Sequence, residues 1–218
     1  MMKEQVYPVN MKLSGRRCAI VGGGHIALRR AKALVAAEAV VTVIAPKAVP
    51  EIVDMAREGQ LQWVKEGFTA SQIVGMFLVV CATDDEAVNR AAAWSAKATG
   101  ALVMMAAPPM ELSDFTVPAQ VGHGQLLFTV STAGTSPELS RILCRELADK
   151  FADVYGTWLE RLAPLRQEAQ KKFSHSEVRE IFWRSALDDE VMALVREKKY
   201  DEAEARVKDA IARFRPQS

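Results

Sequence analysis

Arg17-Cys18-Ala19-Ile20-Val21-Gly22-Gly23-Gly24-His25-Ile26-Ala27 decides the fold of this chain. An apolar run of strand length ends in three glycines and passes at once into helical spacing. Ala27, Ala31, Leu34 and Val35 then fall on one face. Gly22, Gly24 and Ala27 fit G-x-G-x-x-G/A in the setting that pattern requires, after a strand and opening a helix. Gly22 permits the tight turn, Gly24 leaves backbone N–H groups open to a pyrophosphate, and the small Ala27 lets the helix approach the strand. Free N–H groups and the positive end of the helix dipole attract phosphate. The same residues also suit a ligand-free strand–helix turn, but the context favours a dinucleotide site.

Composition sets the outer bounds. The 218 residues are 50% apolar and 25% charged, which suits one or two globular domains. A net charge of +1 leaves no basic surplus for a phosphate backbone, so no nucleic-acid partner is expected. Apolar runs such as Met76–Ala82 are too short to cross a bilayer. Met1–Asn10 lacks the apolar centre of a secretory signal, so no membrane association and a cytoplasmic location are expected. Cys18, Cys81 and Cys144 are odd in number and far apart, which argues against disulfides and a cysteine zinc site. His25, His123 and His175 share no metal-ligand spacing, so no metal site is expected.

Beyond the first strand–helix unit, Val40–Ala45 reads as a strand closed by Pro46. The acidic residue that often grips the ribose about 20 residues past the glycines is missing. Pro46 and Lys47 stand there instead; Lys47 is either a solvated loop residue or a partner for a 2′-phosphate, so NADP stays second to NAD. A helix around Glu51–Glu58, a strand near Leu61–Lys65 and a capping box at Thr69–Gln72 follow. Met76–Ala82 reads as a central parallel strand. Thr83 is placed to cap the next helix with Glu86 at its third position. The acids there are either first-turn dipole complements or neighbours of a cofactor. Ala101–Ala106 is the fifth strand, and this alternation predicts an α/β, Rossmann-like doubly wound parallel sheet.

From Pro108 the texture changes. Phe115–Pro118 reads as extended, Gly122-His123-Gly124 as a turn and Leu126–Ser131 as a strand. Ser131, Thr132, Gly134, Thr135 and Ser136 precede Pro137 in a helix start with Ser136 as cap. That start is either efficient capping alone or a hydroxyl-rich cradle for carboxylate or phosphate. Leu139, Ile142, Leu143 and Leu147 line one side of the helix beyond. The last third is helical, punctuated by Gly156 and Pro164, with stripes at Tyr155, Leu159, Leu162, Ala169 and Phe173 and at Ala203, Val207, Ile211 and Phe214. Ser174–Glu177 has capping-box spacing. The expected domains are a dinucleotide-binding domain over 1–117, a small α+β dimerisation segment over 118–152 and a helical domain over 153–218.

Several segments together carry a resemblance. They are Lys12-Leu13-Ser14-Gly15-Arg16-Arg17, Val21-Gly22-Gly23-Gly24, Ala27-Leu28-Arg29-Arg30-Ala31-Lys32, Val41–Pro46, Ala82-Thr83-Asp84-Asp85, Asp114–Ala119 and Val130–Pro137. Over roughly residues 5–150 the chain resembles the precorrin-2 dehydrogenase/sirohydrochlorin ferrochelatase family of siroheme biosynthesis. The resemblance implies NAD-dependent removal of two hydrogens from precorrin-2, giving sirohydrochlorin, and in some members insertion of ferrous iron into that tetrapyrrole. It also implies a homodimer whose middle and helical segments help complete the active-site cleft. By similarity, Gly22, Gly23, Gly24, His25, Ile26, Ala27, Pro46, Lys47 and Thr83 border the cofactor. Ser131, Thr132, Gly134, Thr135 and Ser136 are assigned to the carboxylate-rich substrate.

One departure bears on the chemistry. Many members carry Asn-Val-Val-Asp after the fifth strand, the Asp being the favoured acid/base; here Ala107 stands at its position. Either Glu111 or Asp114 supplies the carboxylate, or water serves as base, or the alanine was introduced deliberately. The rival functions are a bifunctional dehydrogenase/ferrochelatase and a weakly catalytic tetrapyrrole-binding module.

Overall fold

A computed structural model describes residues 6–215. The reading of Met1–Asn10 and the end of the expected helical domain therefore lie partly outside the described residues. The chain divides into two compact units, with the boundary in sequence between Thr116 and Val117.

The first unit is built on the quoted stretch. β1 (Arg17–Val21), β2 (Val40–Ile44), β3 (Gln62–Val64), β4 (Leu78–Cys81) and β5 (Leu102–Met105) form a parallel sheet in the order β3-β2-β1-β4-β5. The chain moves outward through β2 and β3, then returns to lay β4 on the other side of β1. That reversal puts the topological switch at the carboxyl ends of β1 and β4, where open α/β sheets bind ligands.

Helices cover both faces of the sheet. Cys18, Ile20, Val41, Val43 and Val80 pack with α1 (His25–Ala36) and α2 (Pro50–Arg57). Ala19, Val21, Val79, Cys81 and Val103 pack with α3 (Glu86–Ala98) through Ala92, Ala93 and Ala96. Strands enclosed on both sides need apolar residues at successive positions, which is why their periodicity is a continuous run. Burial raises the Cys18 thiol to about 11 and the Cys81 thiol to about 12, so both act as small apolar core residues.

The second unit begins with an antiparallel hairpin, β6 (Ala119–His123) and β7 (Leu126–Val130), in register from Ala119↔Val130 to His123↔Leu126. The turn sits at Gly124-Gln125, and Gly122-His123 belong to the strand. α4 (Pro137–Leu147) runs through a π-helical turn at Ala148–Ala152 into α5 (Asp153–Lys172), followed by α6 (Ser176–Ala186), α7 (Asp189–Arg196) and α8 (Tyr200–Arg213). Phe173, Phe182 and Phe214 meet with ring centroids 5.0–5.3 Å apart at the centre of the helices.

Several expectations change here. The hairpin packs on α4 and α5, and Val117–Ser218 form one compact unit. α5 runs through both Gly156 and Pro164. Gly156 is a packing residue: a Cβ there would come within 2.6 Å of the His123 ring. Trp158 and Leu165 fill the α5 core where Leu159 was expected. The Ser174–Glu177 spacing makes no cap, since His175 occupies the cap position without a side-chain bond. In α4 the buried residues are Ser140 and Cys144, while Leu139 is 46% and Ile142 38% exposed.

Candidate functional site

The three glycines at the end of β1 have distinct surroundings. Gly22 has φ +127°, a left-handed value that side chains resist, and a Cβ on it would run into the Ala82 carbonyl at the end of β4. A Cβ on Gly23 would collide with the Lys47 carbonyl, and the Val49 N–H donates to the Gly23 carbonyl at 2.9 Å. Gly24 is different: a Cβ there would meet nothing within 4 Å. Gly22 and Gly23 thus let three loops close up, whereas Gly24 faces open space.

That space lies before the N-terminus of α1. Gly24 is the cap residue, no side chain caps the helix, and the first turn holds no acid. The leading N–H groups of a helix have no partner within it. Here they stand uncapped beside exposed His25 and Ile26, with Ala27 fully buried against the sheet. A diphosphate fits such a setting through backbone donors and the helix dipole. Pro46 and Lys47 are exposed at the end of β2, and no carboxylate occupies that position.

The loop after β4 closes the other side of the switch point. Asp85, not Thr83, caps α3: its Oδ1 accepts from the Ala87 and Val88 N–H groups at 2.9 and 3.1 Å. Glu86 is therefore the first helical residue. Thr83 is held by Asn89, a residue the sequence reading passed over. Asn89 is 1% exposed. Its Oδ1 accepts from Thr83 N (3.1 Å) and Thr83 Oγ1 (2.8 Å), and its Nδ2 donates to the carbonyls of Thr83 (3.0 Å) and Pro108 (2.9 Å). A polar residue at an otherwise alanine-rich, buried helix position was the available signal.

Beyond β5, Ala107 offers no functional group. Asp114 has both oxygens engaged, accepting from Lys97 Nζ at 2.6 Å and from the Val103 N–H at 2.8 Å. With the Asp114 N–H donating to the Val103 carbonyl, this carboxylate fastens the chain along the free edge of β5. The Glu111 side chain is 70% exposed and lies 4.0 Å from the Arg90 guanidinium. Among the described residues no group of three or more His, Cys, Asp and Glu is arranged to hold a metal ion.

The hydroxyl-rich segment belongs to the second unit. Ser136 caps α4 as expected, accepting from the Leu139 N–H at 3.2 Å. Thr132 Oγ1 donates to the Ser136 carbonyl and accepts from the Ser136 N–H. Ser131 Oγ accepts from the Ala133 N–H. Ala133 and Gly134 both have positive φ, which turns this segment back on itself. Most of its hydroxyls are thus engaged locally, and Thr135 is exposed.

Comparison with known proteins places the chain. The NAD_binding_7 family, described as putative NAD(P)-binding, matches residues 9–119. The sirohaem synthase dimerisation region matches residues 154–211. The siroheme synthase of Methylobacillus flagellatus is 37% identical over 179 residues, covering 82% of this chain and 38% of that protein. The siroheme synthase of Chromobacterium violaceum is 34% identical, covering 84% and 39%. The chain belongs to the precorrin-2 dehydrogenase/sirohydrochlorin ferrochelatase family. It spans less than half the length of these two relatives. The solved structure of SirC, a precorrin-2 dehydrogenase, superposes with a TM-score of 0.76 at 27% identity and covers 94% of this chain and 100% of that one. In this family context the first unit is a nicotinamide-dinucleotide domain. No helix among the described residues is long and apolar enough to cross a membrane.

Proposed function

We propose that this chain removes two hydrogens from precorrin-2, giving sirohydrochlorin, with NAD as acceptor, as a homodimer in the cytoplasm. The observation that carries this reading is the open Gly24 before an uncapped α1 at the β1/β4 switch point. The match to a dehydrogenase over that protein's full length supports the reaction.

NAD, when bound, accepts the hydride. The chain supplies placement. The backbone N–H groups of His25, Ile26 and Ala27 hold the diphosphate, and Gly24 keeps that approach clear. Pro46 and Lys47 border the adenosine ribose, with Lys47 as the residue nearest a 2′-phosphate. Thr83 closes the nicotinamide side. Thr135, an exposed hydroxyl of the Ser131–Ser136 segment, and the neighbouring Gly134 meet the substrate carboxylates. Substrate loss of a hydride leaves a proton to be released. Ala107 provides no fixed acceptor, so the proton passes to solvent, and Glu111 is the loop carboxylate free to assist. Asp114 is committed to β5. Holding donor and acceptor in contact is a separate contribution that does not depend on a base.

The test is absorbance of the reduced cofactor after precorrin-2 is added with NAD, and in parallel with NADP. Turnover with NAD supports the reading. Spectral shifts of the tetrapyrrole without cofactor reduction would make the chain a binding module instead.

A further inference from the structure

We propose that Asn89 is a positioning residue of this dehydrogenation, locking the loops after β4 and β5 together at the height the cofactor site requires. The inference rests on the function proposed above and adds a residue to it.

The side-chain amide is bonded at both its oxygen and its nitrogen. The Thr83 N–H donates to Oδ1, the Thr83 hydroxyl shares its one proton between Oδ1 and the Asp85 carbonyl, and both Nδ2 hydrogens go to carbonyls, the four contacts of the amide lying at 2.8–3.1 Å. The orientation of the amide is fixed by its partners: the Thr83 N–H can only donate, and the Thr83 and Pro108 carbonyls can only accept. Helix α3 has a poor helix former at a buried position, which costs stability unless the amide is paired. Satisfying α3 itself does not require it, because Asp85 already caps the helix.

What the amide joins is more telling. Thr83 follows Ala82, whose carbonyl is the atom that forces glycine at position 22. Pro108 follows Ala107, the position where the family's usual carboxylate is missing. Asn89 therefore fixes the loop after β5 to the loop that sits against the glycine turn. Without a carboxylate at 107, placement of the reacting groups is the contribution left to this edge of the sheet. A displacement near 1 Å at such a site costs on the order of a hundredfold in rate.

Asn89→Asp is nearly the same shape but turns a double donor into an acceptor facing two carbonyls; Asn89→Ala removes all four bonds without adding charge. Each is compared with the wild-type chain by single-turnover hydride transfer from precorrin-2 to NAD, by NAD titration and by thermal melting. The expected result is a rate constant lowered at least about tenfold in a folded variant, with a smaller fall in NAD affinity because the glycine turn that holds the diphosphate is not substituted. A purely structural asparagine would lower the reaction amplitude by reducing the folded fraction and leave the rate constant alone, which overturns the proposal. So does a wild-type rate constant in either folded variant, or failure of both variants to fold. Absence of turnover in the wild-type chain refutes the dehydrogenase reading itself and this role with it.

Discussion

Three consecutive glycines answer to different constraints, and substitution separates them. Gly22 sits at φ +127° against the Ala82 carbonyl, so Gly22→Ala adds both backbone strain and a collision. Strain of this kind costs about 1–3 kcal/mol, and a lowered melting temperature is expected in calorimetry. Gly24 has φ −85° and empty space where a Cβ would go. Gly24→Ala should cost less than about 1 kcal/mol of stability, as a cap change alone, yet weaken NAD at least about tenfold in titration calorimetry, since the methyl enters the diphosphate's place. Equal losses of stability in the two variants would mean that Gly24 is merely structural. Ala107 poses the opposite question. Restoring a carboxylate with Ala107→Asp should raise kcat by about 10²-fold, the lower end of what a placed base supplies. An unchanged kcat would show that another base already serves, and Glu111→Gln then identifies it by a matching fall.

At the scale of elements, the helix starts show what side-chain partners decide. Asp85 accepts two N–H groups at the head of α3, so Asp85→Ala should cost about 1 kcal/mol in denaturant unfolding. Thr83→Ala at the residue first read as the cap leaves those two bonds in place. The sequence reading misplaced this cap because spacing alone offers both residues, and what removes Thr83 is an asparagine six positions on. The parallel sheet was legible because strands buried on both faces write continuous apolar runs, and the glycine turn names the first of them. The hairpin strand Ala119–His123 was not, since only Ala119 and Val121 are partly buried and Gly122-His123-Gly124 imitates a turn. Nor was the continuity of α5, where Gly156 marks a neighbour's ring and not a break. In the site, the glycines and Ser136 announced themselves by local chemistry, whereas Asn89 and the engaged oxygens of Asp114 depend on contacts from distant positions.

At the scale of the whole molecule, the first part of the second unit leaves a group of large apolar residues exposed, among them Val117, Leu127, Leu139, Ile142 and Phe151. Leu127 is 50% exposed on β7, and on α4 the stripe of Leu139 and Ile142 faces away from buried Ser140 and Cys144. A helix of this amphipathicity normally turns its apolar side inward. Large apolar groups left outside a monomer mark an association surface. The expected occupant is a second copy of the chain, because residues 154–211 of the same unit match a dimerisation region. Leu139→Glu with Ile142→Glu then places charges in the buried seam, where ionised groups without partners are costly. Sedimentation should show a dimer for the wild-type chain and a monomer for the double variant, with unchanged helical circular dichroism. NAD affinity should survive, since the glycine turn and α1 belong to the other unit, while turnover of precorrin-2 should fall if the cleft is completed across the pair. A double variant that remains dimeric would move the seam away from α4. One that is monomeric and fully active would show that each chain carries a finished site.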